Sequence, residues 1–174
     1  MPVVQQLTTS AHFWSEMVVP DCDDYRADPA NLRRALHSAN SLFHMHDWVF
    51  HTHEAVVRAN FTWVDKHGTP QPVSSPKEFA DALEQLNNDF GRIRGIANAG
   101  KHLKLNSVRP VQNAPSHAAN TAIQTTGYGQ GGYGQGPFGG SPRVMLEGAT
   151  DMEFSTILEN VYQMWESLIK RHNF

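Results

Sequence analysis

Residues 32–61, LRRALHSANSLFHMHDWVFHTHEAVVRANF, decide the fold. At about 100° per residue, Leu32, Leu36, Ala39, Phe43, Phe50, Val57 and Phe61 fall in one stripe, which predicts a long core-facing helix. Asp28-Pro29 supplies a start signal, an N-cap before a first-turn proline, so the helix is expected to run from there to about Phe61. His46 and His53 lie within the apolar stripe, one heptad apart. A buried polar group without a partner costs about 1–3 kcal/mol. Both imidazoles therefore predict a polar site inside the fold or at an interface it forms.

Working outward, Ser10–Val19 reads as a short helix with Phe13, Trp14 and Met17 facing in and Pro20 ending it. Residues 66–72 read as a loop. Ser75-Pro76-Lys77-Glu78 combines a capping box with a first-turn proline, and Phe79, Ala82, Leu83, Leu86 and Phe90 continue at helical spacing. The weak helix formers Asn87, Asn88, Asp89 and Gly91 predict a break. Ile93–Leu105 follows as another helix, with Ile93, Ile96, Ala97, Gly100 and Leu103 on one side. Thr150-Asp151-Met152-Glu153 is a second capping box. Beyond it, Phe154, Leu158, Val161, Trp165 and Leu168 form a narrow stripe, expected to pack antiparallel against the long helix.

Residues 106–148 change character. Val108, Val111, Ile123 and Arg143–Leu146 suit strands. Gly127–Gly140 repeats a glycine–tyrosine–glycine–glutamine–glycine unit, and with eight glycines in fourteen positions it has too little side chain to order itself alone. The expected architecture is mainly α: a bundle of four to five helices forming one domain over residues 1–174. A small β-hairpin or three-strand insertion at 106–148 carries the glycine-rich loop before the last helix.

The chain has 174 residues, enough for one core, and a net charge of −3 that creates no global attraction for nucleic acid or acidic membrane. One cysteine, Cys22, excludes an intramolecular disulfide framework, and Asp21, Asp23 and Asp24 around it predict an unreactive thiol. No run approaches the roughly 18 apolar residues of a membrane span, and the first residues lack the pattern of a secretory signal. The expectation is a cytoplasmic protein without membrane contact.

Three constellations carry chemistry. Arg94, Asn98 and His102 recur at i, i+4 and i+8, with Lys101 beside them, on a side roughly opposite the apolar stripe. That side would face solvent, a cleft or a second subunit. Arginine could hold a phosphate, asparagine orient it and histidine act as general acid or base; the alternative is an ordinary solvated helix face. The second constellation is His44, His46, His51 and His53 with Asp47 and Glu54. His44, Asp47 and His51 share a sector, but His44 and His51 lie about 10 Å apart along a helix axis, too far for one metal. A site would need His102, His12 or Glu16 from another helix, and neither a metal nor a cofactor is expected. In the third, Tyr128, Tyr133 and Phe138 of the repeat could stack on bases, sugars or another chain's aromatics, or belong to a loop without function. No serine sits in a nucleophile elbow, and no dinucleotide fingerprint occurs.

A helical bundle with arginine and histidine on a late helix resembles the HEPN superfamily. Its members are often dimeric ribonucleases of toxin or defence systems, with an Arg-x(4–6)-His motif at a dimer cleft. The resemblance implies that Arg94 and His102 are catalytic. Here seven residues separate them, and Gly95 stands where a polar residue usually follows the arginine, leaving that role to Asn98. Lys101–Leu105, the glycine–aromatic repeat and the Trp165 helix together resemble an uncharacterised group of small bacterial helical proteins. Two functions are expected from these readings. One is a HEPN-like domain, a homo-oligomer, that binds RNA or nucleotide and acts as a metal-independent ribonuclease. The other is a non-enzymatic interaction or assembly protein using the glycine–tyrosine loop and helix faces.

Overall fold

The first helix starts where Thr9 Oγ1 accepts the His12 N–H at 3.1 Å. The structure, a computed structural model, describes residues 7–101, 121–124, 143–146 and 152–174. The opening helix is continuous but not uniform: α1 (Ser10–Phe13), a π-helical turn (Trp14–Val18) and α2 (Val19–Ala27). The π turn is closed by the Val19 N–H on the Trp14 carbonyl. Pro20 was expected to end this helix, yet the helix passes through it. Proline offers no N–H and its ring crowds the carbonyl four residues back; the wider turn immediately before Pro20 absorbs both defects. The turn also moves the buried stripe. Ser10, Phe13, Val18, Cys22 and Tyr25 are buried, whereas Met17, expected inside, is 39% exposed.

Asp28 does not cap the next helix. Its N–H bonds to the Tyr25 carbonyl to finish α2, and its carboxylate accepts Asn31 Nδ2 at 3.1 Å. That bond orients Asn31, whose Oδ1 takes the Arg34 N–H and caps α3 (Leu32–Thr52). The long helix then breaks before reaching Phe61: His53 leaves helical geometry at φ −131°, ψ 35°, and α4 (Glu54–Asn60) follows. Thr52 Oγ1 donates to the Trp48 carbonyl, a back-bond that bends helices, and accepts the Ser10 N–H at 3.2 Å.

Part of the stretch expected as loop is a hairpin of β1 (Thr62–Val64) and β2 (Pro70–Pro72). Asp65 N–H bonds to the Thr69 carbonyl and Val73 N–H to that of Phe61. Pro70 and Pro72 alternate with these bonding positions and so fall where no ladder donor is required. Asp65 Oδ1 accepts the His67 and Thr69 N–H groups, closing the turn around Gly68 at φ 79°.

α5 (Pro76–Leu86) begins as expected, with Ser75 Oγ accepting the Glu78 N–H at 3.3 Å. The Glu78 carboxylate makes its main hydrogen bonds to the N–H and hydroxyl of Ser74, with weaker ones to Ser75. Leu86 leaves the buried stripe and is exposed beside the predicted break at Asn87. α6 (Asn88–Lys101) follows, with Phe90, Ile93, Ile96 and Ala97 buried. The break is anchored: Asp89 accepts Asn160 Nδ2 at 2.6 Å and pairs with Arg92, while Asn87 Nδ2 donates to the Asn160 carbonyl.

β3 (Thr121–Gln124), β4 (Arg143–Leu146) and β5 (Met152–Glu153) form an antiparallel sheet in that order. The chain between β3 and β4 contains the glycine–tyrosine repeat; this segment, Val108 and Val111 lie outside the described residues. The expected capping box at 150–153 does not start the last helix, because β4 pairs with Met152 and Glu153. Glu153 instead becomes the N-cap residue of α7 (Phe154–His172).

All five stripe residues of α7 are buried. Trp165 Nε1 donates to the Leu42 carbonyl at 3.0 Å, and its ring meets Phe79 and Phe90. The expected antiparallel packing is corrected: Trp165 lies at Leu42 and Phe174 lies against His53, so α7 runs in the same direction as α3. A parallel arrangement is possible because α5, α6 and the sheet intervene between the two helices in the chain. Arg26 clamps α2 to α7 through a bidentate pair with Glu159, at 2.7 and 3.1 Å. Among the described residues, no helix is long and apolar enough to cross a membrane.

Candidate functional site

The side of α6 carrying Arg94 and Asn98 is not left open. Arg94 Nη1 donates to Asp81 Oδ1 at 2.6 Å and to Glu84 Oε2 at 3.2 Å, both on α5. Asn98 is half-buried one turn further along. Lys101 ends α6, and its side chain, His102, Tyr128, Tyr133 and Phe138 lie outside the described residues. The arginine proposed to receive a phosphate is thus already engaged by two carboxylates of its own chain.

The two inward histidines separate. His46 is 7% exposed, its Nδ1–H donating to the Phe43 carbonyl at 2.5 Å and its ring packed against Phe43 and Phe90. Burial holds its pKa below the ordinary imidazole value. His53 is half-buried at the α3–α4 break, with Nε2 3.0 Å from Ser10 Oγ. Serine and histidine at that distance resemble a nucleophile and base. Ser10, however, is fully buried, so no substrate reaches it, and the pair fastens α1 to the break. Cys22 is also sealed in the core, where burial pushes its thiol pKa up to about 12.

The opening helix and α3 enclose a different feature, a cleft of about 380 Å³. Phe13, Met17 and Asp21 line it from one helix; His37, Asn40, Ser41, His44, Asp47 and Trp48 line it from α3. Phe13 and Trp48 stack at 5.0 Å with their rings 13° apart and make the apolar wall. Ser41 Oγ turns away, donating to the backbone carbonyls of His37 and Ser38. Asn40 Oδ1 is buried and accepts no hydrogen bond within the described chain. His51 Nε2 lies 3.5 Å from Asp47.

Sequence spacing had already placed His44 and Asp47 in one sector. Asn40 was missed, although it lies four residues before His44 and would have been found by extending that sector one turn. Asp21, Phe13 and Met17 arrive from a second helix. Among the described residues, no three His, Cys, Asp or Glu side chains converge to hold a metal ion. No family model, curated protein or solved structure matches this chain.

Proposed function

We propose that this protein is a non-enzymatic binding protein that holds a small ligand in the cleft between its first helix and α3. The observation that carries this reading is the concavity itself, walled by Phe13, Met17 and Trp48 and edged by the polar side chains of Asp21, His37, His44 and Asp47. A largely apolar pocket with a few convergent polar groups suits a ligand. The adjoining π turn adds support, because such turns occur often at functional sites. Tyr128, Tyr133 and Phe138 remain proposed contacts to a partner in the same interaction role.

The test is native mass spectrometry after incubation with a small-molecule extract and desalting. A discrete adduct on the wild type, absent from Met17→Trp, is expected; Met17 is exposed, so the larger side chain fills the cleft without entering the core. An adduct retained in full by that variant refutes the assignment.

A second reading keeps the HEPN-like resemblance: an RNA- or nucleotide-binding homodimer, acting as a metal-independent ribonuclease through Arg94, Asn98, Lys101 and His102. The placement of Arg94 and Asn98 one turn apart on α6 favours it. The two carboxylates on Arg94 rank it second. Equal RNA degradation by wild type and His102→Ala would end it.

A further inference from the structure

The hairpin of β1 and β2 has two outer edges, and the chain closes each in a different way. An open strand edge carries a row of free N–H and C=O groups that templates pairing with another chain. On β2 the outward positions are Pro70 and Pro72, which offer no N–H to a further strand. On β1 the outward positions are Thr62 and Val64, because Phe61 and Asp65 bond across the hairpin. Gln85, in the last turn of α5, reaches that edge. Its Oε1 accepts the Val64 N–H at 2.8 Å, and its Nε2 donates to the Val64 carbonyl at 3.0 Å.

We infer that Gln85 is an autoinhibitory strap over a strand-pairing edge, and that the partner it excludes is β1 of a second copy of this chain. A carboxamide offers an N–H donor beside a carbonyl acceptor, the same pair that one residue of a facing strand supplies. Bound to both backbone groups of Val64, it stands in for that strand. The helix behind it leaves the outer face clear: α5 packs through Phe79 on Phe61 at 5.0 Å, while Thr62 and Val64 alternate to the exposed face. Gln85 is itself exposed, so a rotation of its side chain bares the edge. The symmetry of the outward positions selects the occupant. Thr62 and Val64 flank Trp63, so a two-fold axis at Trp63 sets Thr62 of each copy opposite Val64 of the other. Both pairs then exchange N–H···O bonds as an antiparallel ladder requires. Val64, 44% exposed, and Leu86, 60% exposed and next to Gln85 in the chain, add apolar surface beside the contact.

Sedimentation equilibrium of the full chain tests this with the wild type, Gln85→Ala and Gln85→Asn. Asparagine keeps the amide but is one methylene too short to span to Val64. Both variants should dimerise at least about tenfold more tightly than the wild type, since neither must first release two hydrogen bonds. Adding Val64→Pro to Gln85→Ala removes an outward N–H that gives nothing to the hairpin ladder. It should return association to the wild-type level or below. Equal association of the wild type and both variants overturns the inference. So does tighter association that Val64→Pro leaves in place, which puts the contact elsewhere on the surface, and so does growth beyond a dimer.

Discussion

Arg94 separates a structural role from a catalytic one. Its side chain is 21% exposed and reaches Asp81 at 2.6 Å and Glu84 at 3.2 Å, whose side chains are 16% and 26% exposed. At an effective dielectric constant of about 20, one such contact is worth roughly 4 kcal/mol before desolvation. Most of that is offset by removing the three groups from water. Truncating one partner of a fully buried pair costs about 3–5 kcal/mol. The remaining solvent contact lowers the figure, and Lys77, 3.8 Å from Asp81 but largely exposed, compensates little. Arg94→Ala is therefore expected to destabilise the fold by about 2 kcal/mol. In a double-mutant cycle with Glu84→Gln, the coupling energy should be about 1 kcal/mol and smaller at high salt. Urea denaturation of the four proteins measures it. Single effects that add to within a few tenths of a kcal/mol would show that the Arg94–Glu84 pair does not join α5 to α6.

Other consequences are as direct. Trp165→Phe leaves roughly 40 Å³ unfilled, about 1 kcal/mol at ~24 cal/mol per Å³, and removes a buried hydrogen bond worth about 1 kcal/mol more; a loss near 2 kcal/mol in urea is expected, and a neutral result would contradict the packing at Leu42. Because burial lowers the pKa of His46, the unfolded chain binds a proton more readily than the folded one. Stability should be unaffected by this group well above pH ~6.5 and fall as pH drops below that value. His46→Gln should flatten the decline in a urea series at pH 8 to 5, and an unchanged slope would refute the assignment. Cys22, with its thiol at about 12 and buried, should resist an aromatic disulfide reagent at pH 8 until urea unfolds the chain; rapid native labelling would contradict its placement.

What the sequence made legible follows from how local each cause was. The Ser75 cap, the break at Asn87 and the stripe of α7 depend on residues within a few positions of one another, and all three are present. The misread boundaries depend on partners far away. Glu153 is drawn into strand pairing with β4, and the α3–α4 break takes hydrogen bonds from Ser10, more than forty residues earlier. Asp28 was misassigned because two capping side chains, Asp28 and Asn31, compete within four residues and bond to each other. The cleft was half legible. His44 and Asp47 share a helix and a sector, but nothing in their spacing says that Phe13 and Asp21 will face them.

The π turn carries a consequence for how this molecule tolerates change in length. Phe13 and Val18, five positions apart, are consecutive members of the buried stripe, where an ordinary helix would place them three or four apart. The turn thus behaves as a single inserted residue whose angular offset, about 100°, is absorbed in one loop of the coil. Deleting one of the solvent-facing residues Ser15 or Glu16 would restore regular winding and keep both halves of the stripe aligned. It would also bring the proline's steric conflict back into a tight turn and remove the widening beside the cleft. Such a shortened chain should fold with its core intact while its cleft is reshaped, so length at this point sets the form of the cleft more than the stability of the core.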